Sequence, residues 1–318
     1  MKLLVGSIKK LINGACFFKE DKGYLYPYHY SEKQLDHFKE RDQFWYTRAK
    51  LQTGIKIEFI TDAKEISLYY NTPEVYSGDN SIDLYVDDLA MGIHHITRGG
   101  KGIANFTLHD GEKKVTLYLP IDVPIGIKCL TVNGKWKSVR ARNKKLLAIG
   151  DSITQGYGAK ISGSSYINSL YRKTDYEMLV QGIGGYRYEK GSVMPIEGFV
   201  PDKILVALGT NYHDDLSYDY EKNIEEFYSA LNRAYGDIPV ISVTPIYRFD
   251  PGYNPERLNA VCKKIKAECA KYPNISVIDG WHLVPHIQEC FTDCIHPNAY
   301  GSELMAQGIF EHMKKIKF

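Results

Sequence analysis

The segment Leu146-Leu147-Ala148-Ile149-Gly150-Asp151-Ser152 runs from apolar residues straight into Gly-Asp-Ser, and a further glycine, Gly156, follows closely. An apolar run that stops at a tight turn presents the next polar side chain at the carboxyl end of a strand, where open α/β sheets bind their ligands. Ser152 stands there, and the chemistry a serine offers is nucleophilic attack once a neighbouring base takes its proton. The competing role is N-capping of the next helix by Asp151 or Ser152, a frequent job for both residue types. Further candidate blocks lie downstream: Gly182-Ile183-Gly184-Gly185, Leu208-Gly209-Thr210-Asn211 and Asp293-Cys294-Ile295-His296-Pro297-Asn298. Cys290, Cys294 and His296 are also close in sequence. Structural zinc uses paired short spacings that the other cysteines do not supply, so no metal is expected.

For such distant blocks to meet, the chain must return repeatedly to one edge. From residue 146 onward, apolar strand-like runs at 146–149, 177–183, 203–208, 238–243 and 275–278 alternate with helix-length segments near 162–173, 218–235, 255–271 and 299–316. This alternation predicts a parallel sheet with helices on both faces, whose right-handed crossovers gather the strand carboxyl ends on one side. Earlier the period is two. Ile55, Ile57 and Phe59 alternate with polar residues, as do Ile66, Leu68 and Tyr70, then Ile82, Leu84 and Val86, then Val115, Leu117 and Leu119. Turn signals at Asn71-Thr72-Pro73, Ser77-Gly78-Asp79-Asn80, Gly99-Gly100-Lys101-Gly102, Asp110-Gly111 and Asn133-Gly134 separate these runs without helices, which predicts an antiparallel β-sandwich. The basic run Lys135, Lys137, Arg140, Arg142, Lys144, Lys145 reads as a solvated crossover and sets the boundary: a sandwich over 1–140 and an α/β domain over 141–318. In the less patterned first 45 residues, Tyr24, Tyr26, Tyr28 and Tyr30 alternate. That spacing predicts a strand with one aromatic face, packed on a neighbouring sheet or stacked on sugar rings.

The chain has 318 residues, 44% hydrophobic and 25% charged, the balance of a soluble globular protein with a sizeable core. Forty basic against 38 acidic residues leave a formal charge of +2, which gives no reason to expect nucleic acid or a membrane as partner. Leu3-Leu4-Val5 is too short for a signal-peptide core, and no stretch approaches the roughly 18 uninterrupted apolar residues of a membrane span. Six cysteines are too sparse for a disulfide framework, so free thiols in a cytoplasmic protein are expected. The 25 tyrosines favour a polar, ring-shaped ligand.

Taken together, the four blocks resemble the SGNH hydrolases, also called GDSL esterases, in order, type and spacing over the second half of the chain. The resemblance implies a flavodoxin-like three-layer αβα domain with a mostly parallel five-stranded sheet, preceded by an antiparallel, jelly-roll-like β-sandwich. It implies Ser152 as nucleophile, His296 as general base and Asp293 as the group orienting the imidazole. It also implies an oxyanion hole made of the Ser152 and Gly185 backbone N–H groups and the Asn211 side-chain amide. Gly182 and Gly184 compete with Gly185 for that role, and a turn asparagine is the alternative for Asn211. The family often reads Gly-Thr-Asn-Asp in the third block, whereas Tyr212 takes the last place here. Tyr186, Arg187, Tyr212 and His213 follow these blocks and either line the acyl or alcohol pocket or serve the surface. Trp281, in Asp279-Gly280-Trp281-His282, is structural or stacks on a sugar ring.

In the first half, Ser81-Ile82-Asp83-Leu84-Tyr85 is similar to the Gly-x-Asp-Leu-Tyr signature of sandwich domains that precede some SGNH esterases, among them two-domain carbohydrate acetylesterases. The expectation is a serine esterase that removes small acyl groups, acetyl foremost, from a sugar or oligosaccharide through an acyl-enzyme, with no metal or organic cofactor. The rivals are a lipase, thioesterase or acyltransferase acting on longer chains, and a non-catalytic carbohydrate-binding protein. Homo-oligomerisation stays open.

Overall fold

Leu147 and Ile149 face one layer of helices while Leu146 and Ala148 face the other, so the strand Lys144–Gly150 is buried on both sides. A strand apolar throughout, rather than alternating, is what a parallel sheet covered on both faces requires. The computed structural model describes residues 1–72, 80–213 and 218–318. In it, five parallel strands lie in the order Tyr176–Gly182, Lys144–Gly150, Lys203–Ala207, Val240–Val243 and Ile275–Ile278. Helices Tyr220–Tyr235 and Pro255–Cys269 cover one face, and Tyr166–Lys173 and Ala299–Lys315 the other. This is the flavodoxin-like αβα arrangement, and its direction of winding reverses between Lys144–Gly150 and Lys203–Ala207, the position where such sheets open a crevice.

The first half forms two six-stranded antiparallel sheets packed over a core that includes Ile57, Phe59, Leu68, Leu84, Leu117 and Ile127. One element differs from the sequence expectation. Gly99-Gly100-Lys101-Gly102 is not a turn: Gly100–Thr107 is a strand paired along the full length of Glu65–Thr72. Gly102 is needed there because a Cβ would lie 2.3 Å from the Tyr70 ring. The tyrosines of Tyr24–Tyr28 are the half-exposed face of their strand, while Leu25 and Pro27 point inward. The turn signals Asn71-Thr72-Pro73 and Ser77-Gly78-Asp79-Asn80 fall largely outside the described residues.

The division at residue 140 is not a clean partition either. Helix Glu32–Arg41 is started by a Ser31/Gln34 capping box, and Asp42 caps the following helix Gln43–Arg48. Their apolar faces, Leu35, Phe38 and Trp45, pack among Leu147, Leu179, Ile183 and Tyr186, inside the core of the α/β domain. Gln34 Nε2 donates to Gln181 Oε1 at 3.2 Å and to the Ser192 carbonyl at 3.0 Å, tying the helix to the sheet.

One further contact between the halves is polar and buried. Asp83, in the Ser81-Ile82-Asp83-Leu84-Tyr85 motif, is fully buried and accepts the Gly163 N–H at 2.9 Å. Arg142, read from the sequence as part of a solvated crossover, instead lies 3.7 Å over the Tyr171 ring and donates to the Tyr171 and Thr174 carbonyls. All six cysteines are unpaired, and among the described residues no helix is long and apolar enough to cross a membrane.

Truncating Phe38, which has no exposed surface, removes packing from the α/β core although the residue lies in the first half. Phe38→Ala is expected to cost about 3–5 kcal/mol, read as a lowered urea midpoint for the α/β domain. An unchanged midpoint would show that this helix is only draped on the surface.

Candidate active site

Strand Lys144–Gly150 ends in a single helical turn, Ser152–Gln155, capped by Asp151, whose Oδ1 accepts the Ile153 N–H at 3.0 Å. Asp151 therefore does the capping, and the Ser152 side chain is left for another task. Its Oγ lies 2.9 Å from His296 Nε2. The other ring nitrogen, Nδ1, lies 2.7 Å from Asp293 Oδ2. An ionised carboxylate can only accept, so Nδ1 carries the proton and the neutral ring turns an accepting Nε2 toward the serine hydroxyl. Asp293 is fixed in turn by the Ile295 and His296 N–H groups, both 2.7 Å from its Oδ1. Burial pulls its carboxyl upward, but these bonds and the imidazole outweigh burial and hold it well below the usual carboxylate range. A hydroxyl placed this way can pass its proton to imidazole as it attacks a carbonyl.

Around the serine, the next strands bring their own loops. The Gly184 N–H is committed to Gln155 Oε1 at 2.6 Å. Gly185 adopts a left-handed φ of 71°, a conformation that favours glycine. Asn211 sits on the short turn Thr210–Tyr212 and donates one N–H of its amide to the Tyr186 carbonyl at 2.9 Å. An amide carries two N–H groups, which leaves one for a ligand.

Residues 148–304 match the GDSL-like lipase/acylhydrolase family. This domain belongs to that family. Among curated protein sequences none matches. The salicylyl-acyltransferase SsfX3 from a tetracycline biosynthetic pathway is similar with a TM-score of 0.80 at 16% identity, over 100% of this chain and 97% of its own. A family two carbohydrate esterase from Clostridium thermocellum in complex with cellohexaose has a TM-score of 0.70 at 15% identity, over 96% of this chain and 99% of its own. The acetyl xylan esterase Est2A from Butyrivibrio proteoclasticus has a TM-score of 0.70 at 15% identity, over 100% and 98%. These likenesses span both halves and establish the two-domain fold. Family membership makes the chain an enzyme of the GDSL hydrolase class.

Tyr186 and Tyr212, read from the sequence as lining a pocket or serving the surface, lie in the core, and Trp281, read as structural or sugar-stacking, packs on neighbouring rings. Tyr186 is 1% exposed, wedged between Phe38 and Trp45, with its hydroxyl on Ser192. Tyr212 is buried as well, and its hydroxyl accepts from the Tyr188 N–H and from Asn223 Nδ2. Each is a core residue because its hydroxyl has a partner inside the protein. Trp281 follows the last strand of the sheet, three strands from Lys144–Gly150, and packs on Tyr247 and His286. At about 4.8 Å per strand it is roughly 14 Å away across the sheet. Cys290 is buried, and His296 is engaged by Asp293 and Ser152; among the described residues no group of three or more His, Cys, Asp or Glu could hold a metal.

What the sequence reading missed comes mostly from the first half. Phe44 is 53% exposed beside Gly185, where an added Cβ would lie 3.2 Å from its ring. The Arg48 guanidinium lies 5.2 Å from the Phe44 ring centroid and 5.6 Å from that of Tyr157, and the Tyr157 ring lies 5.4 Å from His296. Asp122, from the sandwich, pairs with Arg48 and accepts from the Tyr157 hydroxyl at 3.3 Å. Burial raises its carboxyl to about 6 against the pull of Arg48 and Tyr157. These residues form an arc from Gly185 to His296. No motif marks them; only the capping box at Ser31 and the cap at Asp42 signal that ordered helices interrupt the sandwich strands.

Asp151 is buried, and burial pushes its carboxyl up to about 6, opposed by the Ile153 N–H and His296. A carboxyl raised from 3.8 in this way favours the fold while protonated, and that contribution is lost as the pH rises through about 6. Asp151→Asn keeps an oxygen for the cap but cannot ionise. Relative to the unchanged protein, its melting temperature should therefore improve between about pH 4 and about pH 7, measured by scanning fluorimetry; a pH-independent difference would refute the assignment.

Proposed function

We propose that this enzyme is a serine esterase that removes acetyl groups from a carbohydrate. The reading is carried by the bonded line Asp293, His296, Ser152 at the carboxyl edge of the sheet, at 2.7 and 2.9 Å. Ser152 Oγ attacks the ester carbonyl while His296 Nε2 takes its proton. The negative charge that forms on the carbonyl oxygen is met by the Ser152 and Gly185 N–H groups and the Asn211 amide. His296 then gives its proton to the departing alcohol oxygen as the ester bond breaks, leaving acyl-Ser152. Water, deprotonated by the same imidazole, releases acetate and returns the proton to Ser152.

Carbohydrate as the alcohol is supported by the rings of Phe44, beside Gly185, and Tyr157, beside His296, which are of the kind sugar rings pack on. It is supported too by the carbohydrate esterases among the similar folds. The similar acyltransferase keeps a second outcome in view, in which an alcohol rather than water receives the acyl group.

Acetate release from a panel of acetylated mono- and oligosaccharides, run beside octanoyl esters, tests the substrate class; preference for octanoyl esters, or transfer to an added alcohol in excess of acetate release, would move the assignment. Ser152→Ala should lower kcat by about 10³-fold or more and abolish labelling by a fluorophosphonate. Full activity in that variant would end the nucleophile assignment. Asn211→Ala should lower kcat by about 100-fold with KM little changed, and an effect on KM alone would mark Asn211 as a ground-state binding group.

A further inference from the structure

The two loops that flank Ser152 are bound to each other by side chains. Asn211 Nδ2 donates to the Tyr186 carbonyl at 2.9 Å, and Arg187 Nε donates back to the Asn211 carbonyl at 2.9 Å. The Tyr188 N–H completes the tie by donating to the Tyr212 hydroxyl at 3.1 Å. Two more guanidinium groups grip the carbonyls on either side of Asn211. Arg248 Nη1 reaches the Thr210 carbonyl at 2.9 Å and Arg257 Nε the Tyr212 carbonyl at 2.6 Å. Three consecutive carbonyls, Thr210, Asn211 and Tyr212, thus each receive a charged donor from a different part of the chain.

The need for such a grip follows from the local backbone. Thr210–Tyr212 is one turn of 3₁₀-helix entered through Gly209 at a φ of 123°, and a segment so short has few hydrogen bonds of its own to hold its position. Charge-assisted bonds are stronger than neutral ones, and the planar guanidinium delivers them with fixed direction. Arg187 is itself packed on an aromatic ring, its guanidinium carbon 4.0 Å from the Tyr218 ring centroid. Arg248 is 2% exposed, and Asp250 balances its charge through bonds of 2.6 and 2.7 Å. Arg187 differs from the other two because it lies on the Gly185 loop itself. Its bond to the Asn211 carbonyl, with the return bond from the Asn211 amide, makes the two loops one body.

We propose that Arg187 is a positioning residue for Asn211, holding the amide at a fixed separation from the Gly185 N–H so that both meet the same developing oxyanion. This rests on the oxyanion roles proposed above for Gly185 and Asn211.

The test is a double-mutant cycle in kcat and KM on a short acyl ester, with Arg187→Ala, Asn211→Ala and their combination, each checked by thermal melting. Arg187→Ala should lower kcat roughly 10- to 100-fold with KM within about twofold, the scale of a misplaced catalytic donor. In the Asn211→Ala background the same substitution should change kcat by less than about twofold, because the group it positions is gone. Added guanidinium at millimolar concentration should restore part of kcat to Arg187→Ala and none to the double variant. Losses that multiply in the double variant, or an Arg187→Ala enzyme with unchanged kcat while Asn211→Ala is impaired, would overturn the positioning role alone. Unchanged kcat in Asn211→Ala would instead sink the oxyanion reading, and the role of Arg187 with it. Should Arg187→Ala fail to fold, Arg187→Lys keeps the charge without the planar fork and is held to the same non-additivity.

Discussion

Close backbone approach at the end of the central strand is the constraint on which the site depends. A Cβ at Gly150 would lie 1.9 Å from Thr154 Oγ1, and one at Gly182 would lie 2.5 Å from the Gln155 nitrogen. Only because both positions lack side chains can the turn carrying Ser152 settle onto the ends of two adjacent strands. The loop that carries His296 docks just beyond that turn by the same means: a Cβ at Gly158 would lie 2.6 Å from His296 Cβ, and Thr292 Oγ1 bonds the Gly158 carbonyl. The separation of hydroxyl and imidazole is therefore set by van der Waals contact between backbones, and hydrogen bonds refine it. Close-packed interiors hold such distances far more firmly than a surface loop could.

The sandwich enters this arrangement through charge. Asp122 and Arg48 face each other with little exposure, and burying two charges is costly unless their remaining bonding capacity is met. The Tyr157 hydroxyl meets part of it. Because Tyr157 also lies against the His296 ring, the carboxylate of one half reaches the imidazole of the other through a single intervening side chain. The sandwich is in this sense part of the wall of the crevice.

Much of this was legible in the sequence, for reasons that differ by element. The five strands of the α/β domain show as apolar runs because both of their faces are covered, and the observed strands match the expected runs within a few residues. Ser152, Asp293 and His296 stood out because a turn after a strand and a short Asp-x-x-His loop are local features, and local features survive in a linear reading. Asp83 was legible as a motif but not as what it is, a buried acceptor for the Gly163 N–H from the other half. Three misses share one cause. Tyr186, Tyr212 and Arg142 have polar side chains that suggest solvent or ligand, yet each finds its partners within the fold. The helices at 32–48 were lost because their apolar positions make sense only against a sheet formed much later in the chain.

That last separation bears on how the chain is made. Gln34 and Gln181, which bond each other in the finished core, are 147 positions apart. At a synthesis rate of about 5–20 residues per second, Leu35, Phe38 and Trp45 leave the ribosome roughly 5–30 s before the strands they pack against. Throughout that interval the sandwich strands between them can pair, while the apolar faces of the two early helices stay exposed. This polypeptide thus carries a built-in waiting period, and the nascent form most prone to clumping is the one that has finished its first half and not yet its second.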